Sequence, residues 1–574
     1  MRRILILLAT LLPLLASAQG LNPSDYISPI RDVAGLYAAN FGEMRPGHFH
    51  AGVALQTDGV EGKVLVAVAD GYISRVVITA GGYGRAVYLT LHNGKCAVYG
   101  HLQRFPAAIE AYVQQERRRR ATNEISLYFP PTRWPVRQGE VVGYSGNSGS
   151  SSGPHLHFEL RDTATQLRHN LVKEGVLRPK DTLPPRILRL HYVEVDTLQG
   201  VPVRTPLMSY GVVRKSEGVY QLTRQDLLPV GPCGYFIAEV SDRRNDVYNR
   251  FGIWRLTAKI DGEPYFEYRM DGFTYEQART CDAVSCYALQ LDAKNEVLRL
   301  AQLGSVPTCF YPVMVERGVI RTEEGQQRQV TIEVEDDSGN ISRLCFAVQG
   351  EPSSFHPQVD STFVALSPKQ TEHLHLGREC FAKIPAGALY EPSFARIERL
   401  AAPRLDTGVV VLSPSYRLLE RRPLYRPMHL RLCGDIPSSL HLRATLAHRS
   451  ANGKWGYGGG TYRNGGVEHT TRSTGEFAIV ADTLPPTITP LFEPQTLSES
   501  ATSLCFSVKD NFSGIASYQL SIDGVALPCD RYPSRSLIVY NLPKQGTPSP
   551  HRVVLVVRDG CGNSTRWEEN LLIF

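Results

Sequence analysis

One short phrase occurs twice in this chain: Asp181-Thr182-Leu183-Pro184-Pro185-Arg186-Ile187 returns almost unchanged as Asp482-Thr483-Leu484-Pro485-Pro486-Thr487-Ile488. Behind each copy the same marks follow in the same order. Val240 and Asp242 answer to Val508 and Asp510, Ile260 to Gly262 answers to Ile522 to Gly524, and Val334 to Asn340 answers to Val557 to Asn563. Marks that keep one order define a repeated module. Paired prolines do not lie inside helices or central strands, and Asp-x-x-Gly-Asn supplies turn chemistry. The phrase therefore predicts two copies of an Ig-like β-sandwich, over 181–350 and 481–574, each opened by a stiff Pro-Pro segment. The first copy carries an insertion near 265–325. Between them, 351–480 is β-rich and reads as a further sandwich. The Asp and Asn residues of the marks suit either turns or calcium; with no dense carboxylate cluster along the chain, turns are the expectation.

At 574 residues the chain exceeds what one hydrophobic core supports. Met1-Arg2-Arg3, the apolar run Ile4 to Leu15 and Ala16-Ser17-Ala18 have the three parts of a secretory signal, with cleavage expected before Gln19. That run is too short to span a bilayer, and no later stretch is long and apolar enough. The mature protein is thus expected to be exported, to the periplasm or cell surface, without a membrane span. The formal charge of +6 includes Arg2 and Arg3, too little to argue for nucleic acid. Arg117 to Arg120 reads as a solvated helix face. Eleven Cys lie mostly outside any metal-type spacing, and Cys281 with Cys286, or Cys505 with Cys529, are candidate disulfides.

From Val64 onward the pattern is short β-rich segments separated by Asp70-Gly71, Gly81-Gly82 and Asn93-Gly94, the signature of antiparallel hairpins. One helix-like stretch at 106–120 and a Pro-rich loop at 130–135 interrupt it. Strands resume at Val141 and at His155 to Leu160.

Residues two apart on a strand share a face, so His155 and His157 point into one site. The same parity sets His50 and Ala54 on one side of their strand, with Gly52 between them leaving room for a metal or a substrate backbone. Tyr99-Gly100-His101-Leu102 adds a fourth histidine. With Gly62-Lys63-Val64, Ala69-Asp70-Gly71, Gly82-Tyr83-Gly84, Val136 to Gly146 and Gly149 to Glu159, this stretch resembles the lysostaphin-type, or LytM-type, zinc endopeptidases, which cleave peptide cross-links in peptidoglycan. The resemblance covers about residues 35–175.

It implies a compact antiparallel peptidase domain over 20–180, with a helical insertion at about 106–133; together with the two or three Ig-like sandwiches read from the repeat, this makes the chain mainly all-β in expectation. The resemblance implies zinc held by His50 and His157, with His101 and His155 as the catalytic pair acting on the metal-bound water. It also implies Asp at position 54, where this chain has Ala54. Zinc is the expected cofactor, and the missing carboxylate argues against a filled site. His48, Asp58, Glu61 and Glu43 are near enough in sequence to be tested as substitutes, His48 and Asp58 first. Three functions follow: a degenerate domain that binds peptidoglycan peptides or regulates a partner wall hydrolase, an active endopeptidase with a substitute ligand, or a β-sandwich adhesion or assembly scaffold.

Overall fold

The computed structural model describes residues 20–223, 227–304, 308–493, 502–542 and 549–573; the signal-like segment 1–18 lies outside them. The chain is mainly β, as expected, and almost all strand pairs are antiparallel. No helix among the described residues is long and apolar enough to cross a membrane.

The first region is built on β1 (Tyr37–Ala39), the hairpin β2 (Met44–Arg45) and β3 (His48–Phe49), β4 (Val53–Gln56), β5 (Val64–Val66), β6 (Gly71–Ile78), β7 (Arg85–Leu91), β8 (Lys95–Gly100) and β9 (Leu102–Arg104). Helix α1 (Ala107–Arg119), β10 (Ile125–Tyr128), β11 (Pro135–Val136), β12 (Val141–Ser145) and β13 (His155–Asp162) complete it. The main sheet runs β1-β4-β13-β8-β7-β6-β10, so β13 lies in its interior. Strand alternation explains why. Leu156, Phe158 and Leu160 are each 0% exposed in the core, while His155, His157, Glu159 and Arg161 line the opposite face.

Helix α1 turns Ile109, Val113 and Arg117 inward at helical spacing. Arg117 is therefore not part of a solvated face, which only Arg118 to Arg120 form; it is 1% exposed. Arg117 and Arg85 clamp Asp530 of the last module at 2.9 and 2.7 Å. Asn123, just beyond the helix, donates to the Tyr518 carbonyl and accepts from Cys529 N, both at 2.9 Å. The helical insertion is thus the surface on which the C-terminal module sits.

The repeated marks fold alike. Arg186–Leu198 pairs with Cys233–Ser241 as Thr487–Pro490 pairs with Ser503–Lys509. Gln327–Glu335 pairs with Ile341–Gly350 and with Arg255–Ile260, as Ser549–Asp559 pairs with Ser564–Ile573 and with Ile515–Ile522. One continuous apolar core joins the first region to the first repeat copy, while 366–479 and 488–573 have cores of their own. All eleven cysteines are unpaired. Cys281 faces the Arg45 carbonyl and Cys529 faces Asn123, so neither candidate disulfide forms.

Candidate active site

The four histidines converge on the solvent-side face of the main sheet. His157 on β13 lies beside His50, whose Nε2 is 3.1 Å from His157 Nδ1. The His101 and His155 rings are 4.7 Å apart, and His101 is 5.9 Å from the His157 ring.

Each ring is oriented through its other nitrogen. His50 Nδ1 donates to the Asn40 carbonyl at 2.7 Å, His101 Nδ1 to the Ser148 carbonyl at 2.8 Å, and His155 Nδ1 to the Gly153 carbonyl at 2.8 Å. His157 Nε2 lies 2.7 Å from Glu159 Oε1. Carbonyl and carboxylate oxygens only accept, so these contacts fix the tautomers. They leave Nε2 of His101 and His155 as free bases, and turn Nε2 of His50 and Nδ1 of His157 toward each other as lone pairs. Such a pair repels unless a proton or a cation lies between.

Electrostatics favour neutral rings at His50, His101 and His155. Burial pushes His101 down to about 3, with His155 and His157 adding to the effect. Burial likewise lowers His155, and lowers His50 together with the neighbouring charge of His157. Glu159 is 1% exposed. Burial alone would raise its carboxyl, but Arg161 and the His157 N–H outweigh that and hold it well below the usual range. It also accepts from Tyr83 Oη and Arg161 Nε, both at 2.5 Å.

Local sequence explains these placements. A Cβ at Gly84 would come within 2.4 Å of Gly149 N, and one at Gly149 within 2.3 Å of Gly84 N, so both turns need glycine to pack backbone on backbone. This contact fixes Ser148, and with it the carbonyl that orients His101. His101 has φ 64°, a left-handed conformation stabilised by its N–H bond to the Tyr83 carbonyl at 2.8 Å.

Two sequence expectations are corrected. His50 and Ala54 do not share a strand: His50 falls between β3 and β4, tied to Gly42 and Glu43 by backbone hydrogen bonds. Gly52 does not leave space for a metal, because its Cβ would meet the Phe158 carbonyl at 2.3 Å; it lets β13 approach.

The substitute ligands fail as well. His48 is exposed and sits against the Pro46 carbonyl, Asp58 pairs with Lys63 at 2.9 Å, Glu61 pairs with Arg535, and Glu43 with Arg45 at 3.1 Å. Among the described residues no third His, Cys, Asp or Glu brings a ligand atom within 4.8 Å of both His50 and His157. Ala54 is the direct cross-strand partner of His157, so its methyl occupies the face where a carboxylate would join. The donors present do not fit a catalytic zinc with three protein ligands.

Sequence reasoning missed Glu159, Tyr83 and Asn40. The first was legible: it shares the parity of His155 and His157. Asn40 was not, because its side chain is held by Gly252, whose carbonyl and N–H it binds at 2.8 and 2.9 Å.

No family model matches the chain. It is 35% identical over 101 residues to the DD-carboxypeptidase/endopeptidase Mpg of Neisseria meningitidis serogroup B, covering 18% of each chain. Against an uncharacterized metalloprotease of Haemophilus influenzae it is 32% identical over 119 residues, 21% of this chain and 19% of that one. The match thus spans about a fifth of these relatives' length. Among solved structures, the catalytic domain of the M23 protein EnpA from Enterococcus faecalis aligns at 26% identity, over 24% of this chain and 84% of that one, with a TM-score of 0.17. On its motifs and these sequence relatives, the region holding the four histidines is similar to metallopeptidases of the LytM, or lysostaphin, type.

Proposed function

We propose that this chain is an exported cell-wall protein whose LytM-type domain binds peptidoglycan peptides, or a partner wall hydrolase, without cutting. One observation carries the reading: Ala54 stands across from His157, and no other donor completes the set. Two neutral imidazoles neither neutralise a zinc ion nor fix its geometry. Export rests on the signal-like segment at 1–18.

A second reading, an active zinc endopeptidase, is favoured by the intact pair His101 and His155 with their free nitrogens, and by the facing lone pairs of His50 and His157. Metal analysis of the purified protein, with muropeptide digestion by wild type and Ala54→Asp, separates the two. Digestion only by Ala54→Asp supports a binding domain. Stoichiometric zinc and digestion in wild type would establish the enzyme instead.

A further inference from the structure

The Asp marks of the repeat, far apart in sequence, meet in space. In the first copy Asp181 of the Pro-Pro opening, Asp242 just after strand Cys233–Ser241, and Asp336 just after strand Gln327–Glu335 bring carboxylate oxygens within 4.8 Å of one another. In the second copy Asp482, Asp510 and Asp559 do the same from the corresponding places.

Turn formation explains part of this. Asp336 accepts from Ser338 N at 2.8 Å and Asn340 N at 3.0 Å, and Asp559 accepts from Cys561 N and Asn563 N at 2.9 Å each. It leaves Asp242 unexplained. Asp242 is 0% exposed, neither of its oxygens has a hydrogen-bond partner, and it faces Asp181 and Asp336. Burial, then the charges of Asp336, Asp181 and Asp337, push its carboxyl well above the usual range. Protein interiors do not hold such a group ionised without a cation. In the second copy Asp482 is 0% and Asp559 2% exposed, and Asn563 Oδ1 beside them is buried without a partner.

The two copies balance charge alike by different means. The first adds a fourth carboxylate, Asp337, and with it Arg244, whose Nη2 is 2.6 Å from Asp337. In the second copy Gly560 and Phe512 hold those two places. Four carboxylates against one guanidinium, and three carboxylates alone, both give a formal −3. Among the described residues no Lys or Arg forms an ion pair with Asp482, Asp510 or Asp559.

We propose that each cluster is a calcium site. The donors are hard carboxylate oxygens with no imidazole or thiolate among them, which selects against zinc and copper. Calcium takes oxygen ligands at about 2.3–2.6 Å, so oxygens across the ion lie about 5 Å apart, close to the span of these clusters. Magnesium demands shorter, octahedral geometry. The first site also borders the histidines: Asp242 and Phe251 exchange backbone hydrogen bonds at 3.0 and 3.1 Å, and the next residue, Gly252, grips the Asn40 that orients His50.

The test is calcium titration of the full chain, stripped of metal, by calorimetry and native mass spectrometry. Two calcium ions per wild-type chain are expected, one in Asp242→Asn, one in Asp510→Asn and none in the double variant, with calcium raising the unfolding temperature of wild type and magnesium doing so far less. No uptake by wild type at millimolar calcium overturns the proposal, as does a stoichiometry unchanged by either substitution. The wild-type count stands even where a variant fails to fold. If Asp242 merely shares a proton, the wild-type unfolding temperature ignores calcium, and the proposal falls.

Discussion

The histidine site and the aspartate clusters are opposites. The first spells a metal-type motif in its sequence, yet among the described residues no third imidazole, thiolate or carboxylate joins His50 and His157; the second hides in turn motifs and gathers its carboxylates only in the fold. His155, His157 and Glu159 lie on one strand, so spacing alone reveals them. Asp181, Asp242 and Asp336 come from three separate segments, so no local window shows more than one. The comparison teaches that a motif reports ancestry, whereas burial without a partner reports what a site still requires.

Asp530 offers the hardest test of that contrast, since it is a buried carboxylate held by two arginines. Burial alone would raise its carboxyl, and Arg85 and Arg117 outweigh this and hold it low. Asp530→Ala strands the buried Arg117 guanidinium, while Arg85 keeps Glu110 at 2.9 Å, and should cost about 3 kcal/mol, read as a shifted midpoint in urea unfolding. Asp242→Asn, measured without calcium, should cost far less, because no cation is abandoned; an equal loss would erase the distinction.

Next in size is Ala54→Asp. Losing an outer-shell partner at a zinc site typically costs 10–100-fold in affinity, so adding a missing ligand should tighten zinc by about 100-fold or more, measured by competition with a chelator. Unchanged affinity would mean that the carboxylate is not what the site lacks.

Glu159→Gln, introduced into the Ala54→Asp background, should then weaken zinc by about 10–100-fold, since Glu159 polarises and orients His157. A fall in stability alone, with zinc affinity intact, would reassign Glu159 to packing.

The smallest effect concerns the hairpin beside His50. Burial pushes both Glu296 and Glu43 up to about 7, and Glu296 accepts from Met44 N and Ile253 N at 3.0 Å each. A carboxyl raised on folding binds more protons in the native state than in the unfolded one between about pH 4.5 and 7. Stability should therefore fall as pH rises through that window, by at most about 1.4 kcal/mol per unit per group. Glu296→Gln should flatten the slope in urea midpoints measured across pH 5 to 7; an unchanged slope would place the titration elsewhere.

Much of the fold was legible. Gly81-Gly82 and Asn93-Gly94 mark the β6–β7 and β7–β8 hairpins, whereas Asp70-Gly71 joins β5 to a strand of another sheet, and the helical stretch at 106–120 folds as α1. The same reading gave Arg117 to solvent, because a stripe holding one arginine looks polar until Asp530 arrives from the far end of the chain. It set turns above calcium for the repeat's aspartates, and the turn bonds are there, but the clustering escaped it because carboxylate density is a property of space and not of sequence. It offered His48 and Asp58 as substitutes by proximity, yet the β2–β3 hairpin and the Lys63 ion pair turn both away.

The sequence by itself determined the strand parity that lines up His155, His157 and Glu159, the glycines that let two loops touch, the missing carboxylate at Ala54 and the existence of a repeated module. These depend on neighbours a few residues apart, where strand geometry and φ/ψ sterics act. Only the tertiary structure decided that Asn40 orients His50 through a residue of the next module, that Arg117 is buried on Asp530, and that three distant aspartates form one cluster twice. Those outcomes depend on strand pairing across long separations and on the exclusion of water, and exclusion of water gives an unpaired charge its cost.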